Sequence, residues 1–360
     1  MRILFLILIA IHGLIHLMGF AKAFDFGNIT QLSKEISKPL GVLWLTVFLL
    51  FLLASILFLL KKEEWWIIAI IAAFFSQILI ITVWQDAKFG TIANILIATI
   101  AVFTWGSICF EKNFVNDKNE NISRINLIPE KILTEPDIQT LPIPVQRYLR
   151  YVGVINKPKV NSVRVVFEGE MRDKGKDYFP FTSEQFNFFD EPTRLFYMKA
   201  KMFGVPVLGY HKYSNSKASM DIRLFGLFSI VKESGNIMDK AETVTLFNDM
   251  CLLAPATLID KRIQWESIHD TLVKATFTNN KISIAADLYF NKQGQLVDFI
   301  SNDRTSIADM KQYPFLTPVS EYKVINGYNL TSKAETVWDY TDGKFTYGKF
   351  ILKEIEYNIK

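Results

Sequence analysis

Cysteine is nearly absent. Cys109 and Cys251 are the only two in 360 residues, which excludes a disulfide framework and a cysteine-based metal site. Histidine is scarce too, with four in the chain, and no HExxH or other zinc spacing occurs. A phosphate-binding glycine loop and a G-x-S-x-G elbow are likewise missing. No metal and no cofactor is therefore expected. A large basic field is also lacking. Of 40 Lys/Arg and 36 Asp/Glu, seven and five fall in residues 1–110, so the rest of the chain is nearly neutral. Nucleic acid is not an expected partner of such a surface.

What the sequence does hold is apolar length. Half of it is hydrophobic, and four long runs fill the first 110 residues: Ile3 to Phe20, Val42 to Leu60, Trp65 to Trp84 and Ile92 to Phe110. As helices, each covers roughly 27–30 Å, the thickness of a bilayer core. Trp65, Trp66 and Trp84 bracket the third run, where indole favours the interface. A multi-pass protein of the cell membrane is expected, with the lipid bilayer as its first partner. A competing reading of the first run is a cleaved leader, with Arg2 before Ile3 to Ile11 and "AKA" at 21–23. Lys and Arg divide six (Arg2, Lys61, Lys62, Lys112, Lys118, Arg124) against four (Lys22, Lys34, Lys38, Lys88) between the two faces. The majority face belongs in the cytoplasm, and the C-terminal domain with it.

His12 and His16 interrupt the first run at i and i+4, on one helix face. Polar groups inside a bilayer are functional suspects. Packing between helices is the other reading, with hydrogen bonds to Gln77, Asn94, Thr99 or a backbone carbonyl. Metal or haem ligation lacks an obvious third ligand.

Residues 111–140 are rich in Asn, Asp, Glu and Lys and read as a linker. In "LPIPVQRYLRYVGV", Pro144 suits a first turn and Gly153 a helix stop. Arg147 and Arg150 stand opposite its apolar face. From Val160 the period becomes two. "RLFYMKAKMF" sets Phe196, Met198, Ala200 and Met202 on one face, and about ten strands follow with short turns. One segment, "MDKAETVTLFNDMCLLAPATLID", has helical spacing, with Asp239 and Glu242 as a capping pair and Pro255 as a stop. The expected fold class is α+β. A four-helix transmembrane bundle (1–110) precedes a linker (111–140) and an antiparallel half-barrel (141–360), strongly curved around that helix.

The pieces "LPIPVQRYLRYVGV", "FNDMCLLAPATLID", "QWE", "SNDR" and "AETVWDY" resemble an uncharacterised family of bacterial membrane proteins of unknown function over most of residues 140 to 357. In outline the domain is also similar to the half-barrel of the lipoprotein carriers LolA and LolB, and the first 110 residues to small DoxX-type bundles. Such likeness implies a fold and leaves function to the site.

Candidate ligand-binding residues are Asp249, Trp265, Glu266, Arg304 and Trp338. Asp249, Glu266 and Arg304 would gather at the mouth of the half-barrel to meet a headgroup or do acid–base work. As ion pairs, they would instead fix the helix to the strands. The tryptophans, among 30 Phe, would line a core or cavity. Three functions follow from these residues. The domain holds a lipid or other apolar molecule near the membrane as carrier or sensor. Alternatively it is an enzyme for a membrane-soluble substrate, or a ligand-free scaffold. Oligomeric state is not legible.

Overall fold

The computed structural model describes residues 2–127, 129–202, 204–307 and 309–360. They form two compact units, Met1–Phe110 and Glu111–Lys360.

The first unit is helical: α1 (Arg2–Ile15), α2 (Leu17–Ala23), α3 (Lys38–Leu59), α4 (Trp65–Thr82), α5 (Trp84–Ala87) and α6 (Gly90–Ile125), the last running on into the second unit. α1 and α2 act as one rod broken at His16. Together with α3, α4 and α6 it makes four helices long and apolar enough to cross a membrane. Leucine, isoleucine and phenylalanine cover their outer faces, as at Ile3, Phe74 and Ile81. Inside, small residues let the backbones approach. A Cβ at Gly19 would stand 2.1 Å from the Trp44 ring, so only glycine fits beneath that indole.

In the second unit, short helices α7 (Glu135–Ile138) and α8 (Ile143–Val152) precede the sheet. α8 ends on Gly153 at φ 79°, a left-handed cap that glycine adopts without strain. Val145, Tyr148, Leu149 and Val152 are buried beneath it, while Arg150 pairs with Glu135. The first strands are β1 (Ser162–Met171), β2 (Phe179–Phe188), β3 (Thr193–Met202), β4 (Val205–Ser214), β5 (Lys217–Leu224) and β6 (Phe228–Ser234). Helix α9 (Asn236–Leu252) and a 3-10 turn (Pro255–Ile259) interrupt them. Next come β7 (Ile263–His269), β8 (Leu272–Asn279), β9 (Ile282–Phe290), β10 (Leu296–Ser301), β11 (Thr305–Ser306), β12 (Lys311–Gln312), β13 (Phe315–Leu316), β14 (Val319–Ile325), β15 (Tyr328–Tyr340) and β16 (Gly343–Tyr357).

Fourteen of these strands, more than the ten expected, form one antiparallel sheet. Its order is β6-β5-β4-β3-β2-β1-β16-β15-β13-β10-β9-β8-β7, with β14 beside β15. The sheet curls around α9, which touches β5 on one flank and β9 on the other. Across the gap the β4–β5 and β8–β9 turns meet, Asn279 Nδ2 donating to Tyr213 Oη at 2.8 Å. The fold is thus α+β, a curled antiparallel half-barrel with a helix in the curl, preceded by four long apolar helices.

Two local expectations are corrected. Residues 111–125 are no tether: they are the last four turns of α6 and lie against the outer face of β2–β4. Phe114 is buried there, its ring 5.2 Å from that of Tyr197 and 5.8 Å from that of Phe186. Asp117 accepts from Tyr210 Oη and Lys212 Nζ, both at 2.7 Å, and Arg124 grips Asp190 with two 3.0 Å bonds. Asp239 also differs, because α9 starts three residues earlier and Asp239 is buried. Its carboxylate accepts from the Ala218 amide at 2.7 Å and Lys217 Nζ at 2.8 Å, so it fixes β5 instead of capping the helix.

Phe114→Ala should remove about 3 kcal/mol of stability, as for other buried phenylalanines. Limited proteolysis should then cut within residues 111–134 at protease concentrations the native chain resists.

Candidate functional site

The register of the sheet places its concave residues in four rows. The first runs Phe167, Ser183, Met198, Gly209, Ile222 and Val231, and the second Phe350, Gly169, Phe181, Ala200, Val207 and Leu224. The third is Gln185, Phe196, His211 and Met220, and the fourth Asn187, Arg194, Tyr213 and Ala218. Two rows are almost wholly apolar and two are mixed.

The hydrogen bonds of α9 to these strands fall on the mixed rows. Arg194 is buried and stands between two buried carboxylates of the helix. Its Nε donates to Asp249 Oδ2 at 2.8 Å and its Nη1 to Glu242 Oε2 at 3.1 Å. Gln185 (2.7 Å) and Asn187 (3.0 Å) donate to the same Asp249 oxygen, and Tyr213 Oη meets Thr243 Oγ1 at 2.8 Å. His211 Nδ1 lies 3.8 Å from Glu242. Burial works against ionisation of Glu242, but the Arg194 charge and His211 outweigh it and hold the carboxyl at about 2. Desolvation pushes Asp249 the other way, up from the ordinary carboxylate range, ahead of Arg194 and Asn187.

Among the described residues, the hydrogen bonds of α9 to these strands reach the mixed rows and none reaches the apolar ones. Phe167, Phe181 and Met198 are buried, whereas Met171, Met202, Ile222, Leu224 and Val231 are half-buried around them. Gly169 makes room in this face: the Phe181 ring lies 2.8 Å from where its Cβ would be, and the Lys349 carbonyl 2.2 Å. Arg304 stands near the same face on the β13–β15–β16 side. Its guanidinium lies 4.1 Å from the Phe315 ring centre and 5.5 Å from that of Trp338, and donates to Tyr347 Oη at 3.2 Å. That is its one hydrogen bond among the described residues, and its charge also helps to hold the Glu242 carboxyl down.

Of the expected set, Arg304 and Trp338 come together, and Asp249 is locked into the Arg194 network. Trp265 packs half-buried on β7, the last strand of the sheet. Glu266 is exposed on the same strand, opposite Lys274, and does not join Asp249 or Arg304. Alternation along β7 explains this, since Ile263 and Trp265 take the core face and Glu266 the other. Arg194, Gln185 and Asn187 belong to the site without having been singled out, and Glu242, expected as the capping partner of Asp239, pairs with Arg194 instead. Their signal was parity: residue 194 shares a face with Phe196 and Met198.

The bundle has its own polar centre. His16 Nδ1–H donates to the His12 carbonyl at 2.8 Å, which leaves Nε2 of a neutral ring to accept from Ser76 Oγ at 2.9 Å. His12 Nε2–H donates to Asn94 Oδ1 at 2.9 Å, Asn94 Nδ2 to Gln77 Oε1, and Gln77 Nε2 to Thr91 Oγ1, both at 3.1 Å. Thr99, another expected partner, takes no part in this chain. Among the described residues no group of three or more His, Cys, Asp or Glu is arranged to hold a metal.

These features define a class, a curled β-sheet closed over an internal helix and joined to four apolar helices. Residues 131–350 match the family of unknown function DUF6544, and the chain belongs to that family. No curated protein matches it. Among solved structures it is similar to a LolA superfamily protein of Nitrosomonas europaea, with 9% identity and a TM-score of 0.33, over 60% of this chain and 94% of that one. It is also similar to a beta-barrel-like protein of a domain of unknown function, DUF1849, from Brucella abortus. There the identity is 7% and the TM-score 0.19, over 55% of this chain and 98% of that one.

Arg194→Met leaves two buried carboxylates without their cation and should cost about 3–5 kcal/mol by chemical denaturation. Glu242 has its pKa lowered from 4.5 to about 2 on folding, so the stability it adds is present above pH 4.5 and lost as pH falls toward 2. The advantage of the native chain over Glu242→Gln should shrink across that window. An advantage that stays constant would show that the carboxylate charge is not what matters.

Proposed function

We propose that this is a membrane protein whose β-domain holds an apolar chain, a lipid or a fatty acid, on the apolar rows. The observation that carries this reading is the half-buried apolar face of Met171, Met202, Ile222, Leu224 and Val231 with Arg304 close by. Apolar side chains left partly exposed on a concave face gain by covering with hydrocarbon, about 25 cal/mol per Å². An incompletely paired guanidinium among aromatic rings favours a carboxylate or phosphate at one end of that chain. The domain works as a carrier or sensor on the cytoplasmic side, the side favoured by the six-to-four division of Lys and Arg.

The test uses the full chain in phosphatidylcholine nanodiscs with a diazirine-bearing palmitic acid. Crosslinks should map to peptides containing Met171, Met198–Met202 and Ile222–Leu224, and Arg304→Gln should lower their yield about fivefold. Crosslinks confined to residues 2–110, or a yield indifferent to Arg304, would refute the reading. For orientation, an impermeant thiol reagent on intact cells should label Glu35→Cys and spare Asp270→Cys, in a Cys109→Ser background.

A further inference from the structure

We infer that the helical unit carries a separate binding site, for a small neutral molecule that is largely apolar and bears one hydroxyl group. A cavity of about 200 Å³ lies beside the histidine pair, walled by His12, His16, Trp44, Ile80 and Phe89, with Asp86 at its margin. A dry apolar cavity of about 150 Å³ is enough to take up benzene, so a substituted ring or a short branched chain fits this volume.

Two unsatisfied polar atoms set the chemistry. Trp44 is 3% exposed and its Nε1–H has no acceptor among the described residues, a costly state for a buried donor. His12 offers the complementary atom. Its Nε2–H is committed to Asn94, so Nδ1 of the neutral ring holds a lone pair that no described donor meets. The ring edge between the two nitrogens faces Gly90, another cavity residue, where a Cβ would stand 3.4 Å from His12 Cε1. An indole needs an acceptor and the imidazole nitrogen a donor. One hydroxyl satisfies both, whereas a carbonyl or an ammonium satisfies one. Charge is disfavoured. The carboxylate in the wall, Asp86, repels anions, and its Oδ2 is already held by the Ser33 amide and hydroxyl at 2.7 and 2.8 Å. Both imidazoles are buried and engaged with Asn94 and Ser76.

Phenol and toluene, nearly equal in shape, test this on the full chain in nanodiscs of phosphatidylcholine, a lipid without free hydroxyls. Labelling with 5-fluorotryptophan gives seven ¹⁹F signals, one per tryptophan, and Trp44→Phe assigns the relevant one. Phenol should shift the Trp44 signal saturably, and toluene should require about tenfold higher concentration for the same occupancy. Equal potency of the two ligands would overturn the hydroxyl assignment. A non-saturating response spread over all seven signals would mean partition into the bilayer and would overturn the site itself. Both comparisons are made on the native sequence, so they stand even where Trp44→Phe folds poorly.

Discussion

A single guanidinium sets the geometry of the β-domain. Arg194 points into the curl because β3 alternates, and its parity is that of Phe196, Met198 and Ala200. A cation buried there is tolerable only when paired and hydrogen-bonded, since an isolated one costs several kcal/mol. α9 supplies the pairing through Glu242 and Asp249, seven residues and two turns apart on one helix face. Two ion pairs to one fixed charge determine both the rotation of the helix and its position along the strands. Asp239 adds a third attachment at the start of β5. The helix is therefore fixed by its polar contacts to the mixed rows.

The two interior arginines differ in what surrounds them, and the difference separates structure from binding. Arg194 has carboxylates and the Gln185 amide oxygen about its fork, a closed set. Arg304 has ring faces, one phenol and, without a hydrogen bond, the charge of Glu242. Aromatic faces attract a cation without using up its N–H groups, so the charge is held in place while its donors remain available. An anion arriving at Arg304 would find direction and charge already present. The same anion at Arg194 would have to displace Asp249.

Much of the architecture was legible from periodicity. The change from long apolar runs to period two separates the bundle from the sheet, and one helical stretch inside the strands marks the helix in the curl. Asp249 and Arg304 were singled out as polar candidates for the mouth of the half-barrel, and Trp338 as lining of a core or cavity. What was not legible has a physical cause. Arg194 begins an alternating run, and a charge at the end of a strand is ordinarily solvated. Only the closure of the sheet over α9 buries it. Glu266 failed in the opposite sense: it is near Trp265 in sequence, but a one-residue offset on a strand is a change of face. His211 likewise acquires a role from Glu242, 31 positions away, a proximity that no local pattern encodes.

The stretch after Phe110 shows how composition misleads where spacing would not. Asn, Asp and Lys dominate it, so it reads as a tether. Yet Phe114, Asp117, Asn121 and Arg124 recur at three and four residues, one helical stripe. Phe114 buries one ring among Phe186, Tyr197 and Tyr210. The stripe holds because Tyr210, Lys212 and Asp190 meet its polar members with charge-assisted bonds. The docking of α6 on β2–β4 thus combines one buried ring with matched charges around it. It covers the outer face of the strands whose inner face carries Arg194, so a helix packs on each side of this part of the sheet. The apolar rows thus lie on strands whose backbone is already fixed from outside, and a ligand there would meet a surface formed in advance.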